Sequence, residues 1–320
     1  MPAPQPAARD RTLAAAGLVT TYAFMLGFSD NYVRVVAAES GLWQFHLSRG
    51  LIAMALMLVL ARLIGMKLRP KRLWAVAVRG GLQGFGVLIY FAAIAVLPVP
   101  VAAAGLFTAP IFVLLISALI FGERIGPVSI LAVIMGFLGV LLVLGPSAFS
   151  GVSLVTTLLP VAGGLVYAFA MIATRRLCAE EEAGALVAAF FIALGLFGII
   201  GLIVLQIWPL QPEPGPAGFV ARGWVMPDLT YLAWMTMHAG VVALGTWFCT
   251  RAYLIADTGR VSVMEYVMLP AAAFWGYAIW GEVLGWQAWV GIALIAIAGG
   301  LITLAPKEAG AGLPAPQPLP

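Results

Sequence analysis

Ten apolar stretches of 18 to 27 residues dominate the chain, at roughly 12–37, 42–64, 73–96, 99–121, 127–144, 154–176, 184–208, 229–255, 259–280 and 286–305. Each is long enough, at 1.5 Å per residue, to cross a ~30 Å hydrocarbon core as an α-helix. A membrane barrel needs shorter segments that alternate apolar and polar residues, and no such period occurs. Only 9% of the residues are charged and the mean hydropathy is +1.05. Soluble domains carry about 25% charged residues, so this chain has too few to cover a water-facing surface. The expectation is an all-α polytopic membrane protein of ten transmembrane helices.

Basic residues orient it. With the N-terminus inside, Arg9, Arg11, Arg62, Lys67, Arg69, Lys71, Arg72, Arg124, Arg175, Arg176, Arg251, Arg260 and Lys307 fall on the cytoplasmic side. Only Arg34 and Arg222 fall on the other, and Arg49 and Arg79 lie within spans. This asymmetry predicts N-in and C-in, and it accounts for the net charge of +4 without a nucleic-acid partner. Leu13–Phe28 is long for a signal-peptide core and reads as a retained first span. The Ala/Pro-rich tails, 1–11 and 307–320, read as disordered.

The chain also resembles itself. Spans four and five, "APIFVLLISALIFGERIGPVSILAVIMGFLGVLLVLGP", match spans nine and ten, "LPAAAFWGYAIWGEVLGWQAWVGIALIAIAGGLITLAP". Pro110 pairs with Pro270, and Phe121-Gly122-Glu123 with Trp280-Gly281-Glu282. Two five-span repeats follow, 12–150 and 151–306. Because five is odd, the second is inverted, with Glu123 on the cytoplasmic side and Glu282 outside. Secondary transporters are often built from such inverted repeats, with the substrate site near the midplane between them.

Those paired Pro…aromatic-Gly-Glu motifs, each followed by a Gly-rich span, together with Arg49 in the second span, are similar to the EamA-type transporters of the drug/metabolite transporter superfamily. The resemblance covers roughly 12–306. It implies an inner-membrane carrier working by alternating access, often an exporter of amino acids or other metabolites. The motifs are architectural and do not identify the cargo.

Polar residues inside spans are the candidate machinery. Asp30 lies ten residues before the turn at Ser40 and Arg49 nine after it, so both sit roughly 12 Å below the outer loop. An Asp30–Arg49 ion pair with His46 at i, i+3 is therefore expected. It serves to tie spans one and two together or to bind a charged cargo group or a proton; otherwise span one ends near Phe28 and the cluster lies at the membrane interface. On the other side, Arg251 and Glu265 flank the turn near Asp257. Either they pair, or Glu265 faces the cavity as a proton-coupling acid. Gln83 and His238 lie near the midplane of repeat-equivalent spans and can face each other, with Tyr90 on the face of Gln83. Tyr167, Trp247, Tyr266 and Trp275 are internal aromatics that either wall a cavity or simply pack. Trp43, Trp74, Trp208, Trp224, Trp286 and Trp289 read as interface anchors. Arg79 is expected to snorkel to the cytoplasm. Pro110 and Pro270 are candidate hinges.

Other chemistries lack their signatures. There is no HExxH, no Walker A sequence, no GxSxG serine motif and no CxxC; Cys178 and Cys249 read as apolar filler. No cofactor or metal is expected. The expected partners are a small-molecule substrate, membrane lipid and protons as the candidate coupling ion, in a monomer or a homodimer. A zwitterion such as an amino acid suits the polar groups; a larger amphiphilic or nucleoside-like metabolite suits them nearly as well.

Overall fold

A computed structural model describes residues 8–33, 36, 40–93, 97, 99–123, 125–145, 154–281 and 283–304. Arg34, Arg124, Glu282 and the C-terminal tail lie outside the described residues. Among the described residues there is no strand, and twelve α-helices run α1 Ala8–Asp30, α2 Leu42–Ile64, α3 Leu73–Ala93, α4 Val99–Leu106, α5 Ala109–Leu119, α6 Pro127–Leu144, α7 Leu154–Arg176, α8 Ala183–Ile207, α9 Leu229–Ile255, α10 Thr258–Met264, α11 Met268–Trp280 and α12 Trp286–Leu304. The N-terminal helix thus begins at Ala8, earlier than the composition of the tail suggests.

Nine segments among the described residues are long and apolar enough to cross a membrane. The ninth expected span is not one of them, because it is broken. Its two pieces, α10 and α11, are joined by a single 3-10 turn, Glu265–Val267. The fourth span is broken too, between α4 and α5 at Phe107–Thr108. Both breaks sit just ahead of the predicted hinge prolines. A proline ring clashes with the carbonyl four residues earlier, here Leu106 and Tyr266, and removes one helical hydrogen bond. The Thr108 hydroxyl donates to the Gly105 carbonyl at 2.6 Å and so satisfies part of the interrupted turn.

The packing has a regular pattern. Helix α6 packs on α12, and α2 on α8; α3 packs on α7 as α1 packs on α9. Helix α3 meets α8 as α9 meets α2, and α1 meets α10 and α11 as α7 meets α4 and α5. Exchanging spans one to five with spans six to ten maps the α6–α12 and α2–α8 pairings onto themselves and each of the others onto its counterpart. The aromatic-Gly-Glu motif also has a backbone reason: Gly122 and Gly281 both adopt left-handed φ, +64° and +69°, just beyond the ends of α5 and α11. Such C-terminal caps select glycine.

Without a hydrophobic drive between helices in lipid, close backbone approach supplies the attraction. Gly139 on α6 and Gly291 on α12 show this most directly. A Cβ added to either would lie 2.7 Å or 2.5 Å from the other's carbonyl oxygen. Gly291→Leu is therefore expected to lower stability by about 3 kcal/mol or more, because backbone must yield, not a pliable side chain. Gly299→Ala, with open space around it, is expected to change little. Thermal unfolding in detergent compares the two.

Candidate functional site

Two buried polar clusters lie along the bundle. The first gathers Asp30, the last residue of α1, His46 and Arg49 on α2, and His238 on α9. His46, Arg49 and His238 are 0–3% exposed, whereas the Asp30 side chain is 35% exposed. Arg49 Nη2 donates to His46 Nδ1 at 3.2 Å. Since arginine only donates, Nδ1 is the acceptor, and in neutral His46 the proton sits on Nε2. The guanidinium lies 5.2 Å from the Phe45 ring centre and 5.4 Å from that of Phe91. Phe45 also stands edge-on to His238 at 5.3 Å, and Phe91 edge-on to His46 at 5.2 Å.

The expected Asp30–Arg49 ion pair is not formed. Asp30 Oδ1 instead approaches His238 Nε2, at 3.8 Å. The reason is topological. Depth arithmetic treats spans one and two as packed partners, yet α1 packs chiefly on α9 and α11 while α2 packs on α8 and α9. The two residues reach one cluster, but their helices are not packed partners. The residues after Asp30 are structural. The Asn31 amide donates to the carbonyls of Gly27 and Ala272, at 2.7 and 3.2 Å, and Tyr32 stacks on Trp234 at 4.6 Å.

The second cluster centres on Glu265, at the helix break between α10 and α11. Its Oε1 accepts from Cys249 Sγ at 3.1 Å and Tyr167 Oη at 3.4 Å, and Tyr22 and Tyr253 contribute to the same electrostatic environment. Arg251 is exposed and does not pair with it. Successive helical residues turn by 100°, so Arg251 and Cys249 point to different sides of α9; residues two apart do not share a face.

Arg79 corrects a further expectation. It does not snorkel but is 0% exposed. Its Nε donates to Thr174 Oγ1 at 2.9 Å, Nη1 to the Leu186 carbonyl at 3.2 Å and Nη2 to Thr250 Oγ1 at 3.3 Å. One side chain on α3 thereby ties together α7, α8 and α9. Arg79→Ala should cost roughly 3 kcal/mol or more, from three lost charged hydrogen bonds and the cavity left behind. A snorkelling arginine would cost within about 0.5 kcal/mol. The shift in Tm separates the two.

The remaining candidates divide. Gln83 and His238 are both buried, and no hydrogen bond joins them. Gly86 lies against the backbone of Gly163 and Tyr167, making room for α7 and not for cargo. Tyr90 stands beside Phe91, at 5.1 Å. Tyr266 is fully buried with its ring on Gly136, where an added Cβ would meet it at 2.3 Å, so it packs α10–α11 onto α6. Trp247 is half-buried beside Phe248 among the side chains of α2, α8 and α9. Trp275 Nε1 donates to the Phe24 carbonyl at 2.9 Å, so it bridges α11 to α1 at the rim of an open apolar groove. Trp43 is not an interface anchor: its ring lies on Gly201 and its Nε1 donates to the Val220 carbonyl at 2.9 Å. Cys178, between α7 and α8, is a packed thiol that burial pushes up to about 11.

The sequence reading missed Arg79, Cys249, Phe45 and Phe91 as members of these clusters. The available signals were the i, i+4 spacing of Arg79 and Gln83 on α3, and Phe45 four residues before Arg49 on α2.

Comparison with known proteins agrees with this architecture. Residues 13–145 match the EamA-like transporter family. A riboflavin transporter of Rhizobium johnstonii is 28% identical over 81% of this chain and 78% of its own length. The pseudopaline exporter CntI of Pseudomonas aeruginosa is 29% identical over 73% and 76%. An uncharacterized transporter of Helicobacter pylori is 26% identical over 69% and 70%. A crystal structure with 18% identity superposes with a TM-score of 0.70 over 90% of this chain and 96% of its own, which establishes the shared fold. With its membrane-spanning helices, a first half that matches the EamA-like transporter family and transporters among its relatives, this chain is a multi-pass membrane transporter, not an enzyme, and is similar to the EamA-type transporters.

Proposed function

We propose that the protein is a secondary transporter that moves a small zwitterionic metabolite, amino-acid-like in its charges, outward across the inner membrane by alternating access. Both termini are placed in the cytoplasm, the five-span halves 12–150 and 151–306 are inverted copies, and protons are the coupling ion. The exchange pattern of helix pairings and the two broken spans support this architecture. One observation carries the cargo reading. Around Arg49, four side-chain atoms nine-tenths or more buried lack a hydrogen-bond partner among the described residues: His46 Nε2, Arg49 Nε and both ring nitrogens of His238. Buried polar atoms are rarely left unpaired, and sites that are alternately dry and ligand-filled are where exceptions concentrate. Arg49 suits a carboxylate, and Asp30 beside it suits an amine.

A second reading has its own support. Phe45, Phe91 and Tyr90 crowd the cluster with aromatic edges, and riboflavin transporters are among the relatives. A ring-bearing cargo would use those surfaces. A thermal-shift screen over amino acids, nucleosides, polyamines, quaternary amines and riboflavin discriminates. Stabilisation by amino acids alone is expected. Stabilisation by riboflavin or nucleosides alone replaces the first reading with the second.

A further inference from the structure

Each end of the bundle is fastened by the same device, used twice. At one end, the start of α2 grips the segment before α9. The Leu42 N–H donates to the Phe219 carbonyl at 2.8 Å, and the Gln44 amide forms a closed pair with the Val225 backbone: Nε2 donates to its carbonyl at 2.7 Å and Oε1 accepts its N–H at 2.8 Å. Arg222 Nη1 returns a bond to the Ser40 carbonyl at 2.9 Å. Gly41 presses against the Arg222 carbonyl so closely that a Cβ would sit 2.1 Å from its oxygen.

At the other end, the start of α8 grips the segment before α3. Both Glu181 carboxylate oxygens accept backbone N–H groups, from Lys71 at 2.8 Å and Arg72 at 2.6 Å. Here too a glycine meets a loop carbonyl, Gly184 against Lys67, where a Cβ would sit 2.6 Å from the oxygen. The exposed Lys67–Glu182 pair, at 3.1 Å, adds little. In both clasps, the connection between the second and third spans of one half is held by the start of the second span of the other. With 23 residues, α2 is roughly 34 Å long, so its two ends place the clasps on opposite faces.

From this duplication, and resting on the alternating-access reading above, we infer that the Gln44–Val225 and Glu181–Lys71/Arg72 clasps are the two gates of the transport cycle. Each gives access from its own face when released, and both are closed in the present structure.

Cys249, 4% exposed inside the bundle on α9, is a built-in reporter. In a Cys178→Ala background, its labelling by a membrane-impermeant maleimide is measured in right-side-out and inside-out vesicles, with and without the screened amino acids and riboflavin. Glu181→Ala should raise labelling roughly five- to tenfold from the face bearing residues 65–72, and from that face only. Gln44→Leu should do the same from the face bearing 208–228 only. Glu181→Gln, which retains one carbonyl acceptor, should give a smaller rise on the same face and carries the test where Glu181→Ala fails to fold. Labelling unmoved by all three variants, or raised equally from both faces, overturns the clasps. If wild-type labelling changes face with ligand yet ignores the variants, the clasps alone fall. If wild-type Cys249 labels from neither face under any condition, alternating access itself falls.

Discussion

Arg49→Gln is expected to weaken cargo binding by roughly ten- to a hundredfold, the worth of a hydrogen bond to a charged group at about 1.4 kcal/mol per decade. The guanidinium is buried, over the rings of Phe45 and Phe91, with one nitrogen held by His46 and Nε free of any partner among the described residues. Nothing in that arrangement consumes the charge structurally, as a tight Asp30–Arg49 pair would. Gln keeps a polar head but loses the charge and the planar fork that matches a carboxylate. Arg49→Lys restores the charge without the fork and should recover only part of the affinity. Binding of the stabilising compound from the ligand screen is titrated against wild type, with Tm recorded for each variant. If Arg49→Gln binds as tightly as wild type, the cargo does not reach this cluster.

The contrast between Arg49 and Arg79 shows how far the sequence reaches. Span number, span limits and the repeated motifs were legible, because lipid imposes one solution on a 20-residue apolar run and glycine caps recur at Gly122 and Gly281. Asp30, Arg49 and His46 do lie in one region of the bundle. What the sequence withheld was which helix stands beside which. Helix α9 comes between the partners expected of Asp30, and α7, α8 and α9 converge on Arg79 to give a buried cation its acceptors. Those neighbours come from the other half of the chain, about 95 to 171 residues away, a distance over which hydropathy carries no information. Glu265 is the intermediate case. Its importance was readable from a lone acid in an apolar span; its helix break was foreshadowed by Pro270; its partners, Cys249 and Tyr167, were not foreseen.

Glu265→Gln should abolish acceleration of transport by an imposed pH gradient while leaving exchange of cargo across the membrane without net flux. The glutamine retains the shape and a carbonyl acceptor for Cys249 and Tyr167, so the fold around the break should survive, but it cannot bind and release a proton. The geometry makes the carboxyl a credible carrier of that proton. It is buried, has no ion-pair partner among the described residues, accepts from a thiol and a phenol, and sits where the helix is already broken and can rearrange at small cost. Glu265→Asp keeps a titratable group but withdraws it by one methylene, so some gradient dependence should persist at a lower rate. Proteoliposomes loaded with the stabilising compound, with and without an acid interior, measure both modes in one preparation. Should Glu265→Gln respond to the gradient as wild type does, the coupling acid must be sought at Asp30 and His238, which approach each other at 3.8 Å. A double variant lacking Glu265 and His238 would then decide whether protons drive the cycle through either cluster.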